Sequence, residues 1–503
     1  MYWPLINMET VMAALKNTYQ ICFISALCLL LLACGGGVSE EEQYEIPGSD
    51  WNGLLDNEVG YIYVAGVRDD WSFNRVVTPP RTGLMIPYFD AVSSADGNIQ
   101  FVYYNHEGEY LTEDNRDEAL YNLKHLVWVP SDHIGMEEET VYEGTQDATI
   151  ITYNHTDRIS LTQGDDDKLY LAYRGGIEKA CNGGKVLADA MFNVFDGVDW
   201  TEYQGAVGYV ERSAGPLLDG HAGANTDIAI DSQGNVHLSY QFAYEGCDAT
   251  NFAYPDLFYV KKEPSQFIND GRSDAEIEEQ VSGNGYLDGN NFQNNTGSIT
   301  DIVMDNNDNP MIFYYAQAAI GEKGLYVSYK QDDIWIQEPI NTQCSIRDVA
   351  ASINDQGDIF VAYVADACED GGDTRFSLRF SKKLQFKDDG TQVGDIIITD
   401  PVWEDTAIEE GVYVGGTGRH LDMTIDKNNR PVVAYYELQA YQGSAKRDLK
   451  IATFADDWQV SRLLLAEQDD IGQYNKIWLG DNEKLHVATY SETQKSIYIL
   501  IQN

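Results

Sequence analysis

Hydrophobic and polar residues alternate in short stretches along most of the chain, and turns rich in Asp, Asn and Gly precede many of these stretches. Seven times such a turn leads into five or six residues of alternating strand that end at or beside a tyrosine. The copies are Ser94–Tyr103, Gly164–Tyr173, Asp231–Tyr240, Asp305–Tyr314, Asn354–Tyr363, Asp426–Tyr435 and, more weakly, Gly480–Tyr490. A short apolar stretch comes before each turn, and Asn, Asp and Gly tolerate the positive φ that a tight hairpin needs. The pattern predicts a repeated hairpin of two strands, A and B.

A second pattern follows several of these hairpins: an alternating strand, acidic residues and then a tryptophan. It is clearest at Leu449–Trp458 and Gly324–Trp335, and looser at Val194–Trp200. These stretches predict strands C and D, with the tryptophan packed between neighbouring units. Four antiparallel strands in a unit that recurs along the whole chain are typical of a propeller. The sequence therefore predicts an all-β fold, a β-propeller of seven four-stranded blades.

The two ends of the chain complement each other. The C–D pattern also occurs at Tyr61–Trp71 and on to Val77, with no hairpin before it, whereas the last hairpin is followed only by Ser496–Asn503. We expect the N-terminal strands to complete the C-terminal blade and close the ring, which leaves no free sheet edge there. An eighth, partial blade is the alternative.

The N-terminus is typical of an exported lipoprotein. Lys16 precedes the apolar stretch Ile21–Leu32, which is too short to span a membrane and is typical of a signal peptide. The following Ala33-Cys34-Gly35 resembles a bacterial lipobox, in which the cysteine after the cleavage site carries the fatty acids, palmitate among them. This divides the chain into a signal peptide (1–33), an acidic tether (34–58) and one propeller domain (59–503). Gly35 in place of an aspartate implies delivery to the outer membrane, on its surface or periplasmic side; the alternative is an ordinary signal peptide.

Four further cysteines predict two disulfides. Export to an oxidising compartment favours disulfides, and no spacing typical of a metal site occurs. In the repeat frame, Cys181 and Cys247 fall in the B–C loops of adjacent blades, and Cys344 and Cys368 flank one A–B hairpin. We expect the pairs Cys181–Cys247 and Cys344–Cys368.

The charge excludes one class of partner. The chain has 33 basic and 81 acidic residues, a net charge of −48. Such a surface repels nucleic acid and anionic membranes. We expect no nucleic-acid partner, contact with the membrane only through the lipid anchor, and a monomeric propeller.

The face opposite the tight A–B turns carries the long B–C and D–A loops, and function concentrates on long loops of a rigid scaffold. Strand A has an aspartate four residues before the turn in four blades: Asp90, Asp227, Asp301 and Asp422. Because strand A is innermost, these carboxylates should surround the channel mouth, where they could hold Ca²⁺. The alternative is that each one caps backbone at its own blade.

A few basic and aromatic residues map to the same rim. The candidates for catalysis are His106, His155, Tyr173 and Arg174, and the candidates for the ligand-binding rim are His221, Arg419 and His420. A His or Tyr base beside an Arg that neutralises a carboxylate would suit β-elimination on a uronic acid. His237 and His486 share a position within strand B, which indicates a structural role.

The Asp/Asn/Gly turn with its trailing tyrosine resembles a repeat of secreted bacterial β-propellers that are called sialidase-like. The resemblance covers nearly the whole mature chain and implies the fold. True sialidases have the string S-x-D-x-G-x-x-W between strands C and D, which these turns do not contain, so the sialidase activity is not implied. Polysaccharide lyases on seven-bladed propellers are similar in architecture.

Three functions remain open after these observations. The leading one is a surface-anchored protein that binds a glycan or protein ligand on its long-loop face. The second is a carbohydrate-active enzyme, a polysaccharide lyase or a glycoside hydrolase. The third is a structural subunit of an envelope complex.

Overall fold

The structure is a computed structural model of the 503-residue chain. It describes residues 64–68, 70–77, 85–94, 96–106, 121–130, 134–143, 158–175, 189–206, 209–210, 218–219, 221–243, 256–267, 278–282, 295–317, 323–331, 334–366, 377–383, 403–410, 421–441, 444–466, 471–491, 494 and 496–503. Within these ranges no helix is both long and apolar enough to cross a membrane.

The described residues form strands and one short 3₁₀ helix, Pro264–Gln266. The strands are β1 (Val64–Val67), β2 (Trp71–Val77), β3 (Met85–Ser93), β4 (Ile99–His106), β5 (Tyr121–Val129), β6 (Ile134–Glu143), β7 (Ser160–Gln163), β8 (Leu169–Gly175), β9 (Asp189–Phe195), β10 (Trp200–Ala206), β11 (Tyr209–Val210), β12 (Leu218–Asp219), β13 (His221–Ile230), β14 (Val236–Ala243), β15 (Asp256–Lys262), β16 (Glu278–Ser282), β17 (Asn295–Met304), β18 (Pro310–Gln317), β19 (Gly324–Gln331), β20 (Ile334–Asn341), β21 (Ser345–Ile353), β22 (Ile359–Asp366), β23 (Ser377–Lys383), β24 (Trp403–Glu410), β25 (Leu421–Ile425), β26 (Pro431–Tyr441), β27 (Ser444–Phe454), β28 (Trp458–Ala466), β29 (Ile471–Leu479), β30 (Leu485–Ser491) and β31 (Ser496–Gln502).

These strands build seven antiparallel sheets arranged in a ring, as the repeats predict. Blades 1 to 6 are β3–β6, β7–β10, β13–β16, β17–β20, β21–β24 and β25–β28, and blade 7 contains β29–β31. In each blade the first strand, A, lies at one end of the sheet, and the A strands of successive blades contact one another all the way round. The all-β, seven-bladed propeller is confirmed. The short β11–β12 ribbon lies between blades 2 and 3 in sequence.

The N-terminal strands close the ring, although not in the way that their C–D pattern suggests. β2 pairs with β31, from Trp71 opposite Gln502 to Val77 opposite Ile497, and becomes the outermost strand of blade 7. β1 does not join that blade; it pairs with β28 and gives blade 6 a fifth strand. The prediction of N-terminal closure is therefore confirmed, and the assignment of both strands to the last blade is wrong.

The recurring Asp/Asn residues form the A–B turns through their side chains. In blade 3, Asp231 Oδ1 accepts the backbone N–H groups of Gln233 at 3.0 Å and Asn235 at 2.8 Å. The fourth turn residue needs a left-handed backbone: Gly234 has φ 78°, and Asp308 and Asn429 occupy the same place in blades 4 and 6 with φ 62° and 58°. This backbone favours Gly and short polar residues. Hence the turn keeps its Asp/Asn/Gly composition from one blade to the next.

The tyrosines that end the repeats of blades 2, 3, 5 and 6 are buried and bond to an acidic residue of a D strand, whereas Tyr314 of blade 4 accepts the hydroxyl of Ser328 at 3.3 Å. Tyr240 donates to Glu278 at 3.2 Å, Tyr363 to Asp405 at 2.7 Å and Tyr435 to Glu409 at 2.5 Å. Burial, and then the nearby Glu409 carboxylate, raise the pKa of Tyr435 far above its usual range, so its hydroxyl keeps its proton. These tyrosines therefore stabilise the blades rather than line the channel.

The C–D tryptophans join neighbouring blades, as predicted. Trp335 of blade 4 donates its indole N–H to Glu279 of blade 3 at 2.9 Å, and Trp403 of blade 5 donates to Glu338 of blade 4 at 2.5 Å. In both places a lysine pairs with the same glutamate and lies over the indole ring. The indole N–H of each half-buried tryptophan thus gains a charged acceptor.

Candidate functional site

A cavity of about 260 Å³ lies at the end of the channel opposite the A–B turns, the face on which the sequence places the site. Most of its lining comes from the N-terminal parts of the A strands of blades 1, 3, 4, 5 and 7 and from the residues that lead into blade 2. The lining residues are Tyr88, Phe89, Asp90, Arg158, Ile159, Asn225, Ser298, Ile299, Thr300, Tyr315, Ile346, Arg347, Asp348, Tyr474, Asn475 and Lys476. Six of the seven blades therefore contribute to one pocket, with aromatic and aliphatic walls and a charged floor.

Two wall residues have an unusual backbone. Asn225 and Tyr474 have φ values of 53° and 51°, and each lies at a register shift in its A strand. A bulge turns a side chain away from the regular pleat, and an aromatic residue in the left-handed region costs on the order of 1 kcal/mol or more. The Tyr474 ring meets the Tyr88 ring edge-on at 5.3 Å. Strain of this kind is concentrated at functional sites, and here it directs two side chains toward the cavity.

Arg158 and Lys476 of the floor contact the four aspartates that the sequence singles out, and Asp90 among them also lines the cavity. Each one accepts the backbone N–H of the following blade's A strand. The bonds are Leu161 to Asp90 at 2.8 Å, Ile302 to Asp227 at 2.9 Å, Ala351 to Asp301 at 2.7 Å and Ile477 to Asp422 at 2.9 Å. The structure thus brings them onto one ring, where they link neighbouring blades.

Residues of other types complete this ring. In blade 5, where alanine takes the aspartate's place, Asp348 two residues earlier accepts the N–H of Leu421 at 3.0 Å. In blade 2, Ser160 takes that place and donates to Asp227 at 2.5 Å. In blade 7 this position is occupied by Lys476. It pairs with Ala488 on strand B, just as Asp422 of blade 6 pairs with Ala434. Aligning the repeats by strand register would have revealed all three substitutions.

Two cations fill the centre of the ring. Lys476 Nζ lies 3.2 Å from Asp90 Oδ1 and 3.9 Å from Asp422 Oδ2, bridging blades 7, 1 and 6. Arg158 Nη2 lies 2.9 Å from Asp227 and 3.1 Å from Asp301, and its Nη1 donates to the Thr300 carbonyl. We call these two cations with Asp90, Asp227, Asp301, Asp348 and Asp422 the channel plug. Neither Arg158 nor Lys476 belongs to a motif that the sequence singles out.

The channel plug perturbs its own carboxyl groups. Burial raises the pKa of Asp422 to about 6, although the charge of Lys476 opposes this. Burial, and then the Asp227 carboxylate, hold the pKa of Asp301 well above its usual range. Burial alone would lower the pKa of Lys476, but the nearby carboxylates of Asp90 and Asp422 outweigh it and raise this pKa, so that the lysine stays charged. The cations therefore do not fully offset the acids around them.

The binding of Ca²⁺ by the four aspartates stays a prediction. No group of three or more His, Cys, Asp or Glu in the described part of the chain is placed to hold a metal ion. The carboxylate oxygens of the ring receive backbone N–H groups, Arg158 and Lys476 instead. This geometry supports the capping alternative and extends it, because each aspartate caps the next blade and Asp90 also accepts the N–H of Ala91 in its own blade at 2.8 Å.

Of the predicted catalytic residues, the structure describes the side chains of Tyr173 and Arg174. Tyr173 is buried between blades 1 and 2, and its hydroxyl donates to Glu202 at 2.8 Å and to Asn193 at 3.1 Å. Arg174 is 9% exposed, and its backbone pairs with Ala190 in the sheet. Neither residue lines the cavity.

Most of the remaining residues that the sequence proposes for the site, the lipid anchor or the disulfides lie outside the described residues. This applies to Cys34, His155, Cys181, Cys247, Cys368, Arg419 and His420 and to the side chains of His106 and His221, which end β4 and begin β13. Cys344 is buried and disulfide-bonded. His237 and His486 are buried in strand B of their blades, which fits the structural role expected of them.

No protein-family model and no curated protein matches the chain. Among solved structures, it is similar to a protein of unknown function from Dyadobacter fermentans, with 9% identity and a TM-score of 0.42 over 86% of this chain and 99% of that one. It is also similar to the polysaccharide lyase Uly1, with 9% identity and a TM-score of 0.47 over 83% and 89%. A third is the α-L-arabinanase of Penicillium chrysogenum, with 9% identity and a TM-score of 0.41 over 86% and 97%.

Proposed function

We propose that the protein binds a glycan in the cavity at the channel mouth. The observation that carries this is the lining, in which three tyrosines and a phenylalanine stand beside amide and hydroxyl side chains and a charged floor. An aromatic ring offers a flat apolar face, and the tyrosine hydroxyl offers a polar edge, which together suit a sugar ring and its hydroxyl groups. Ligand sites commonly combine such apolar walls with a few well-placed polar groups.

Binding is favoured over catalysis by the state of the floor. A general acid or base must come within hydrogen-bond reach of the reacting group and be able to exchange its proton there. Asp90 and Asp348 line the cavity, but their carboxylates already receive backbone N–H groups from strand A of their own blade and of the next. A lyase or hydrolase remains the alternative proposal, and its candidate histidines, His106 and His155, would have to supply the chemistry.

We also propose that a lipid on Cys34 holds the propeller at the outer membrane through the 34–58 tether. The lipobox-like Ala33-Cys34-Gly35 supports this. A protein held this way would keep its cavity available to glycans of the cell envelope or of the medium.

A glycan array followed by calorimetry tests the binding function. The full chain, purified in detergent, should bind at least one glycan family, and Tyr474→Ala should bind it about tenfold more weakly because an aromatic contact is lost. The matched control is Tyr326→Ala, which changes a half-buried tyrosine that is not part of the cavity lining. Equal affinity of wild type and Tyr474→Ala would place the binding elsewhere, and silence across the array would remove the proposal.

A further inference from the structure

We infer that the floor of the cavity takes the uncharged terminal residue of a glycan, which enters end-on and is held through its oxygen atoms by Arg158 and Lys476. This inference rests on the proposed glycan-binding function and goes beyond it in naming which part of the glycan binds and what charge it carries.

End-on entry follows from the channel plug. Lys476 bridges carboxylates of blades 1 and 6, and Arg158 bridges those of blades 3 and 4, so these two side chains cross the centre of the ring. Around these two side chains, the aspartates of the ring link neighbouring A strands by accepting their backbone N–H groups. A glycan that enters the cavity therefore meets a floor that these side chains close. The cavity, about 260 Å³, is just below the roughly 300–1,000 Å³ typical of ligand pockets and suits one sugar residue.

Among the described residues, the floor has one buried donor without an acceptor and one cation whose N–H groups are not fully used. Arg158 Nε is buried, and among the residues that the structure describes none accepts its N–H. Lys476 has three N–H groups for two carboxylate partners, one of them as far as 3.9 Å, and its side chain is 22% exposed. Both residues line the cavity. Because a buried donor without an acceptor is unfavourable, a ligand that brings oxygen acceptors to this floor is stabilised there.

The charge balance of the floor disfavours an anion. The channel plug contains the five carboxyl groups of Asp90, Asp227, Asp301, Asp348 and Asp422 and the two cations Arg158 and Lys476. If all five acids were ionised, the plug would carry three negative charges. The raised pKa values of Asp301 and Asp422 are the response to burial and to this excess. At the rim, Arg347 is already paired with Asp366 at 2.7 Å.

A carboxylate or sulfate brought to this floor would add to the excess negative charge in a poorly screened place. A hydroxyl, a ring oxygen or an acetamido carbonyl would accept the free N–H groups without that penalty. The net charge of −48 of the whole chain acts in the same direction, because it repels anionic polymers before they reach the cavity. The floor therefore selects a neutral terminal sugar.

Paired oligosaccharides test this directly. Each glycan that binds on the array is prepared in two forms, one with its natural neutral terminus and one with that terminal residue oxidised to a uronic acid. The neutral form should bind at least about tenfold more tightly. Its affinity should change little between about 0.05 M and about 0.5 M salt, because no charge is neutralised on binding. A cyclic form of the same glycan, which has no terminus, should not compete.

The variant Arg158→Lys tests the role of the Nε–H group of Arg158 as a hydrogen-bond donor to the glycan. Lysine keeps the charge between Asp227 and Asp301 but removes the Nε donor, so the neutral form should bind about tenfold more weakly. The melting temperature of each variant shows that it is folded. The matched control is Arg379→Lys, since Arg379 is also paired with a carboxylate, Asp405 at 2.5 Å, and does not line the cavity.

The outcomes separate the two proposals. Tighter binding of the uronic-acid form, equal competition by the cyclic form, or full affinity in Arg158→Lys would overturn this inference and leave glycan binding in place. If no glycan binds in any form, both this inference and the proposed function fail.

Discussion

One position on strand A determines how the channel of this propeller is filled. It is aspartate in blades 1, 3, 4 and 6, serine in blade 2, alanine in blade 5 and lysine in blade 7. Where it is aspartate, its carboxylate accepts the N–H of the next blade, and the lysine lies between two of these carboxylates. The same few residues therefore hold the blades together and form the floor of the cavity.

Asp422 has a pKa of about 6 in the folded protein, against 3.8 in the unfolded chain. The folded state therefore holds a proton that the unfolded state releases, and the stabilising contribution is complete below pH 4 and lost as the pH rises through 6. Relative to Asp422→Asn, the wild type should lose on the order of 3 kcal/mol of unfolding free energy between pH 4 and pH 7. Urea titrations at several pH values measure this.

The control for that experiment is Asp426→Asn. The hydrogen bonds from Arg430 and from backbone N–H groups outweigh the effect of burial and lower the pKa of Asp426. This carboxyl group therefore titrates below pH 4 in the folded protein, and its contribution is constant between pH 4 and pH 7. A pH-independent difference between wild type and Asp422→Asn would show that Asp422 is not held as described.

At the scale of the elements, the N-terminal strand β2 is part of the last blade. Trp71, at its start, is 5% exposed and packs in the core between blades 6 and 7. Phe73, two residues on, stacks on Tyr498 at 5.0 Å. The ring is therefore closed by residues that are far apart in sequence, and its stability depends on both ends of the chain.

Trp71→Ala should therefore destabilise the whole ring. Removing a buried tryptophan costs about 3–5 kcal/mol, which should appear as a lower melting temperature in thermal denaturation. Val198→Ala serves as the control, because Val198 is 74% exposed in the C–D turn of blade 2 and should change the stability by less than about 0.5 kcal/mol. Similar melting temperatures for the two variants would contradict a closing role for β2.

The strands and their order could be predicted from the sequence because the turn chemistry repeats. Asp231 and its equivalents fix each hairpin locally, so the pattern of the sequence and the structure agree there. The position of β1 could not be predicted, because its pattern of residues suits the edge of either blade and the choice depends on β28. The burial of Tyr173 could not be predicted, because sequence order does not show that its hydroxyl donates to Glu202.

At the scale of the whole molecule, charge is distributed unevenly between surface and channel. The chain carries 81 acidic and 33 basic residues, yet Arg158 and Lys476 lie in the centre of the ring, where they contact carboxylates from four blades. Neither cation belongs to a sequence motif. Lys476 occupies the aspartate position of blade 7, and Arg158 immediately precedes blade 2, so only the closed ring brings them together.

A crystal structure of the complex with the tightest-binding neutral oligosaccharide would show whether the channel mouth is the glycan site. We expect the terminal sugar to fill the channel-mouth cavity beside Tyr474, with one of its oxygen atoms about 3 Å from Arg158 Nε. A glycan bound across the outer edges of the blades, or along the rim with the cavity empty, would contradict it.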